Sequence, residues 1–326
     1  QRFNNHWGSQ SPWRDERGQE IPDFIEDIAK RSEYYKILDE KFDGNADSID
    51  YYMNQPHSVK VFDYNSQDHL VEKEMSTMDS IRYMVKFMHC GFVAMEPQTS
   101  YVRAWVGDVD FSSWKYDKVT AMRQPGSTFK LFVYASAFEH DDDITPTTRY
   151  RDQLISLQVP DAQDPQRLVT WTPHNSGGYC TGANMPLKSA FAQSVNTIAV
   201  KLGQDTGIDN VVDIAHKMGV ESKLEATPSL ALGSSDVNLV ELVDAYCTAM
   251  NDGKQRKPML VTKILDRNGE VIYDCERDEP EAKAVIRYKT AFYLQRLLYG
   301  GMHEPGGTTQ ALWEYIHCYD NELGGK

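Results

Sequence analysis

No uninterrupted apolar run in this 326-residue sequence approaches the roughly 18 residues that a membrane-crossing helix requires, and no segment has the build of a signal peptide. Basic blocks are also lacking. Lys and Arg number 34 against 48 Asp and Glu, a net charge of -14, which argues against a nucleic-acid partner. Cysteine is sparse and scattered (Cys90, Cys180, Cys247, Cys275, Cys318), odd in number and without a C-x-x-C, so neither a disulfide framework nor a compartment can be read from it. The nine histidines show no H-x-x-x-H or Cys/His ligand spacing, so no metal site and no cofactor is expected. Internal repeats and low-complexity tracts are absent. The first residue is Gln1 and not Met, and the chain is expected to be an excised or processed piece whose targeting sequence lies elsewhere.

The 40% hydrophobic content suffices for a full core, in one large domain or one and a half. The stretch with chemistry in it is Arg123-Gln124-Pro125-Gly126-Ser127-Thr128-Phe129-Lys130. Pro125-Gly126 breaks whatever precedes it. Phe129, Phe132, Val133, Ala135, Ala137 and Phe138 then recur at helical spacing in a segment apolar enough to be buried on all sides. On a helix starting here, Ser127 and Lys130 share a face, with Cβ atoms about 5 to 6 Å apart. A serine hydroxyl becomes a useful nucleophile only when a neighbouring base takes its proton. A lysine in apolar surroundings has its charged form disfavoured and can supply that base. The helix N-terminus offers free N–H groups to a developing oxyanion. S-x-x-K by itself is cheap, since about one chance match is expected in a chain of this length. Ser112-Ser113-Trp114-Lys115 is a second match, in a polar and aromatic context without a helix start, and is read as noise.

In chain order, residues 1 to about 75 are rich in charge, Tyr and Asn, with isolated Trp7 and Trp13, and read as a linker or accessory region with one amphipathic helix from Asp23 to Phe42. A helix is expected over Ser80 to Met88. Phe92 to Met95 and Tyr101 to Gly107 form a hairpin pattern, and residues 140 to 186 read as loop-rich, punctuated by proline and glycine. Helices are expected over Leu187 to Leu202, Asp209 to Met218, Val237 to Met250 and Glu281 to Tyr299. A hairpin turns at Arg267-Asn268-Gly269. Hairpins and helix clusters without regular β-α-β spacing favour an α+β fold.

Three separated stretches then read together: the S-x-x-K at Ser127 to Lys130, Gln193-Ser194-Val195-Asn196-Thr197, and Gly324-Gly325-Lys326. They resemble the S-x-x-K, S-x-N and K-T-G set of penicillin-recognising serine enzymes, with intervals of 67 and 132 residues that suit that family. The resemblance is to class A, bifunctional penicillin-binding proteins. It is carried also by Met95-Glu96-Pro97-Gln98-Thr99, Val102 to Gly107, Leu232-Gly233-Ser234-Ser235, Pro258 and Glu304-Pro305-Gly306-Gly307-Thr308. It implies a linker over 1–75 and a transpeptidase domain over 76–326 with the penicillin-binding protein/serine β-lactamase-like fold, an antiparallel sheet flanked by helices. Gly306-Gly307-Thr308-Thr309 lacks the lysine of a K-T-G strand and reads as the turn ahead of it. Lys326 ends the chain, so the Thr and Gly that follow in the family are absent, and a fragment cut there is expected to be inactive alone.

The roles implied by the resemblance are those of a peptidoglycan D,D-transpeptidase. Ser127 is the nucleophile, Lys130 the general base, Ser194 a proton relay and Asn196 the residue that orients Lys130 and the substrate amide; Lys326 helps place the donor carboxylate. The implied partners are D-Ala-D-Ala stem peptides, β-lactams that acylate Ser127, and other cell-wall synthesis proteins. The implied location is the extracytoplasmic or periplasmic face of the membrane, anchored by an absent N-terminal helix, with a glycosyltransferase domain elsewhere in the protein. A class A β-lactamase, a penicillin sensor and a non-catalytic cell-wall scaffold are the alternatives.

Overall fold

The computed structural model describes residues 11–15, 17–161, 164, 166–314 and 323–326; Trp7 and Cys318 lie outside them. The chain forms two compact units, Gln1–Gly91 with Gly107–Lys118, and Phe92–Val106 with Val119–Lys326. Among the described residues no helix is long and apolar enough to cross a membrane.

The first unit has a core of its own, built on Ile25, Ala29, Leu38, Ile49, Met53 and Met78. The single helix expected from Asp23 to Phe42 is two, α1 (Phe24–Arg31) and α2 (Glu33–Lys41). Ser32 between them is extended (ψ 149°), and its hydroxyl accepts from the Tyr35 N–H at 3.2 Å, so it ends one helix and caps the next. Helix α3 (Ala46–Met53) and the hairpin of β1 (His57–Phe62) and β2 (Leu70–Met75) follow. These elements fall in the stretch that the sequence marks as a linker or accessory region with one helix. Helix α4 (Thr77–Val85) begins and ends three residues before the expected Ser80 to Met88, because Ser76 caps it.

The second unit opens on the expected antiparallel hairpin, β3 (Phe92–Met95) and β4 (Val102–Val106). Its centre is α5 (Lys130–His140), in which every residue from Lys130 to Phe138 is buried, as an all-round apolar helix must be. The segment expected to be loop-rich carries four short strands: β5 (Arg149–Arg151), β6 (Leu157–Pro160), β7 (Leu168–Trp171) and β8 (Asn184–Pro186). β6 pairs with β7. β5 pairs with β8 across more than thirty residues, a match no local pattern shows. Helices α6 (Leu187–Ala192) and α7 (Asn196–Thr206) replace the single helix expected over Leu187 to Leu202. Helix α8 (Ile208–Met218) stops at Gly219, which takes φ 123°, and α9 (Leu239–Met250) is capped by Asn238, close to the expected bounds.

Strand β9 (Lys254–Gln255) and the expected hairpin of β10 (Lys263–Leu265) and β11 (Val271–Asp274) lead to the short α10 (Cys275–Asp278). Strand β12 (Lys283–Ala284) pairs with β9, which removes those residues from the helix expected from Glu281; α11 (Tyr288–His303) starts after the extended Arg287. Helices α6, α7, α8, α9 and α11 supply the apolar side chains around α5, among them Phe191, Ile198, Leu202, Ile214, Ala245 and Leu294. All named strand pairs are antiparallel. They occur as separate two-stranded ladders, and the residues around Lys326 are not in a strand.

Candidate active site

Ser127 sits on a 3₁₀ turn, Gly126–Phe129, that runs directly into α5. The turn is held from four directions. Arg123 and Val237 exchange backbone hydrogen bonds of 3.0 and 2.9 Å, and the Gly126 N–H reaches Gly233 O at 3.4 Å. Thr128 Oγ1 donates to Pro125 O at 2.7 Å, and the Tyr246 hydroxyl donates to Thr128 O at 2.8 Å. Gly126 (φ 58°) and Gly233 (φ 76°) both lie in the left-handed region, and a Cβ on Gly233 would collide with the Gly126 backbone. Ser127 itself is exposed. Near the start of the turn, its N–H has no acceptor inside it and is available to an incoming oxygen.

Lys130, one turn on, is fully buried. Its Nζ donates to Ser194 O (2.7 Å), Ser194 Oγ (3.0 Å) and Asn196 Oδ1 (2.6 Å). None of these bonds goes to Ser127, although three residues per turn brings positions i and i+3 into line. Burial pushes the Lys130 amine down to about 7, so near neutral pH it can lose a proton and offer a lone pair.

The break between α6 and α7 is what presents Ser194 and Asn196. The Ser194 N–H donates to Phe191 O and the Val195 N–H to Ala190 O, both at 3.0 Å, which is the Schellman pattern that closes a helix. The position after the cap in that pattern takes left-handed φ and is ordinarily glycine; here it is Ser194 at φ 57°. A strained serine thus aims its hydroxyl and its carbonyl at one amine. Asn196 opens α7, with Oδ1 on Lys130 and Nδ2 donating to His174 O at 2.8 Å.

Lys326 comes to the same place. Its Nζ donates to Phe191 O and lies 4.4 Å from the Phe191 ring centre. Burial first, and the charge of Lys130 second, push it down to about 7. An apolar groove lined by Thr128, Leu242, Val243, Tyr246, Met250 and Lys326 runs beside the turn. The Glu304 to Thr308 turn is latched onto α6: Glu304 pairs with Lys188 at 2.8 Å and accepts from Ser189 Oγ at 3.1 Å, and the Thr308 N–H donates to Ala192 O at 3.0 Å.

A family model described as the penicillin-binding protein transpeptidase domain matches residues 90–326, more than two thirds of the chain. The chain belongs to the penicillin-binding protein transpeptidase family. The penicillin-binding protein middle domain matches residues 8–88. Penicillin-binding protein 2D of Bacillus subtilis is 34% identical over 64% of this chain and 29% of its own length. Penicillin-binding protein 1A of Rickettsia prowazekii is 36% identical over 58% of this chain and 23% of its own length. The chain therefore spans about a quarter of the curated relatives it matches. The crystal structure of penicillin-binding protein 1A from Haemophilus influenzae superposes with a TM-score of 0.62 at 25% identity, covering 70% of this chain and 38% of that one. The fold is that of the penicillin-binding transpeptidases.

Around Ser127 and Lys130 the sequence reading missed several supports. Tyr246, which holds the Thr128 carbonyl, carries no motif around it. Asp152 and Asn175 lie in the segment read as loop, and only their partners reveal them. Gly233 stands in the sequence only as part of the flanking similarity, and its backbone conformation explains why that position is glycine. Cys90, Cys180, Cys247 and Cys275 are free thiols.

Proposed function

We propose that this chain carries the acyl-transfer site of a peptidoglycan D,D-transpeptidase, and that Ser127, Lys130, Ser194, Asn196 and Lys326 are its working residues. The observation that supports this most is the Lys130 amine, fully buried, brought to about 7 and hydrogen-bonded to both Ser194 and Asn196. In its neutral form Lys130 takes the Ser127 proton as Oγ bonds to the penultimate D-Ala carbonyl carbon. The oxyanion that forms is met by the Ser127 N–H and by a second N–H from the strand that follows Lys326 in the family. Ser194 Oγ, 3.0 Å from Lys130 Nζ, passes the proton on to the leaving nitrogen as the C–N bond breaks. Terminal D-Ala departs with that proton. Lys326 holds its carboxylate. The amine of a second stem peptide then attacks the acyl-enzyme, forms the cross-link and returns the proton to Ser127.

A β-lactam enters by the same first step, but its leaving nitrogen stays tethered in the opened ring and the ester persists. Further proposals follow from the relatives' greater length: a glycosyltransferase domain and a membrane anchor elsewhere in the protein, and a site facing the extracytoplasmic side.

The test is incubation with a fluorescent penicillin, of the chain as given and of a form extended past Lys326, read by gel and intact mass. A stable adduct on the extended form that vanishes with Ser127→Ala supports the reading. An extended form that stays unlabelled overturns it in favour of a scaffold, and rapid loss of the label points to a β-lactamase.

A further inference from the structure

The S-x-N serine and asparagine sit at a helix start that cannot cap itself. Val195 occupies the capping position of α7 and has no side-chain acceptor, whereas Ser, Thr, Asp or Asn is the usual choice there. The cap comes instead from Asn175, distant in sequence. Its Oδ1 accepts the Asn196 N–H at 2.9 Å and the Thr197 N–H at 3.3 Å.

What keeps the Asn175 amide facing that way is a carboxylate. Asn175 Nδ2 donates to Asp152 Oδ1 at 2.9 Å and to Tyr179 O at 3.3 Å; turning the amide over would set its NH₂ against the two helix N–H groups. Asp152 is only 1% exposed. It also accepts from Thr197 Oγ1 at 2.7 Å, from the Thr181 N–H at 2.7 Å and from Thr181 Oγ1 at 2.8 Å. Burial alone would raise its pKa, but these donors outweigh it and hold the group at about 2, ionised throughout the working range. A buried charge is tolerated where donors satisfy it, and here every donor belongs to α7 or to the loop lying over it. His174, next to Asn175, takes the Asn196 side-chain NH₂, which leaves Asn196 Oδ1 with Lys130 Nζ.

We propose that Asp152 and Asn175 are positioning residues for acyl transfer, a carboxylate and amide latch that fixes Asn196 and, through it, the direction of the Lys130 amine. The proposal rests on the function proposed above. It assigns a purpose to the paired β5 and β8 strands, since Asp152 directly follows β5 and its own backbone N–H and carbonyl join Ala183 and Gly182 just ahead of β8.

The experiment measures acylation of the extended chain by a fluorescent penicillin, with the acylation rate constant and the preceding binding constant separated by varying its concentration. Asn175→Ala is expected to lower the rate constant by about 10- to 100-fold, the range a small misplacement of a catalytic group produces. Binding should stay within about threefold, and the folded molecules should still label completely. Asn175→Asp keeps the capping acceptors but sets two carboxylates together and should be as slow. Adding Asp152→Asn to it restores an amide to carboxylate bond with the partners exchanged and should recover much of the rate. That exchanged pair also serves if Asn175→Ala does not fold: a rate no better than Asn175→Asp alone overturns the proposal. So does an unchanged rate constant in Asn175→Ala, or a loss confined to the fraction that labels, since both describe a residue that only holds the fold. If the unsubstituted chain is not acylated at all, the proposed function fails and this inference with it.

Discussion

Ser-x-x-Lys occurs twice in this chain, and the two regions treat the same four positions in opposite ways. At Ser112 to Lys115 the residues lie in turn and irregular backbone, Lys115 is exposed, and the Ser112 hydroxyl is spent on Asp110 Oδ2 at 2.6 Å. At Ser127 to Lys130 the serine is also exposed, but the lysine is fully buried and placed on Ser194 and Asn196. Both serines reach solvent. What separates a chance match from a site is the lysine, whose burial removes its charge near neutral pH and whose partners fix its direction.

The largest expected effect breaks the contrast outright. Lys130→Met should lower the rate of penicillin acylation by about 10²- to 10⁴-fold, the usual worth of a general base, while Lys115→Met leaves it unchanged; stopped-time labelling of the two variants checks both.

A pH series sharpens it. Acylation should fall about tenfold per pH unit below about 7 as Lys130 becomes protonated, and level off above. Stability carries the same sign. The unfolded-state lysine titrates near about 10.4, so between about 7 and 10 the unfolded chain binds the proton that folded Lys130 has lost. Unfolding free energy therefore gains a rising contribution with pH in that window, and in urea melts at several pH values Lys130→Met should make the rise shallower, leaving the part that Lys326 supplies.

The smallest effect separates stability from chemistry. Ser194→Gly relieves a left-handed backbone that costs a serine about 1 kcal/mol, so its melting temperature should rise by a few degrees while acylation slows from loss of the relay hydroxyl. A fall in both would mean that the Lys130 to Ser194 Oγ bond outweighs the strain.

Local pattern carried far where the determinant was local. The burial of α5 follows from Phe129 to Phe138 being apolar on every side, and the stop at Gly219 and the Asn268-Gly269 turn are matters of neighbouring residues. Periodicity failed where a short break in the helical backbone interrupts a pattern that continues at helical spacing. Ser32 did this between α1 and α2, and Gln193 to Val195 between α6 and α7, because helical spacing continues across a break that only hydrogen-bond geometry reveals. The first unit's hairpin was hidden by its charged faces.

The sequence by itself determined the residue types and their order: a serine and lysine one turn apart on a buried helix, an S-x-N, a late lysine, and the family that this order indicates. Only the tertiary structure decided that Lys130 meets Ser194 and Asn196, that Gly233 packs against the Gly126 backbone beside Ser127, and that Asp152 and Asn175 stand behind Asn196. The physical reason is range. Helix periodicity and turn chemistry act over a few residues and leave their mark in the local order of side chains, whereas a hydrogen bond between residues 64 or 66 apart depends on how separately formed elements pack, which no neighbouring residue records.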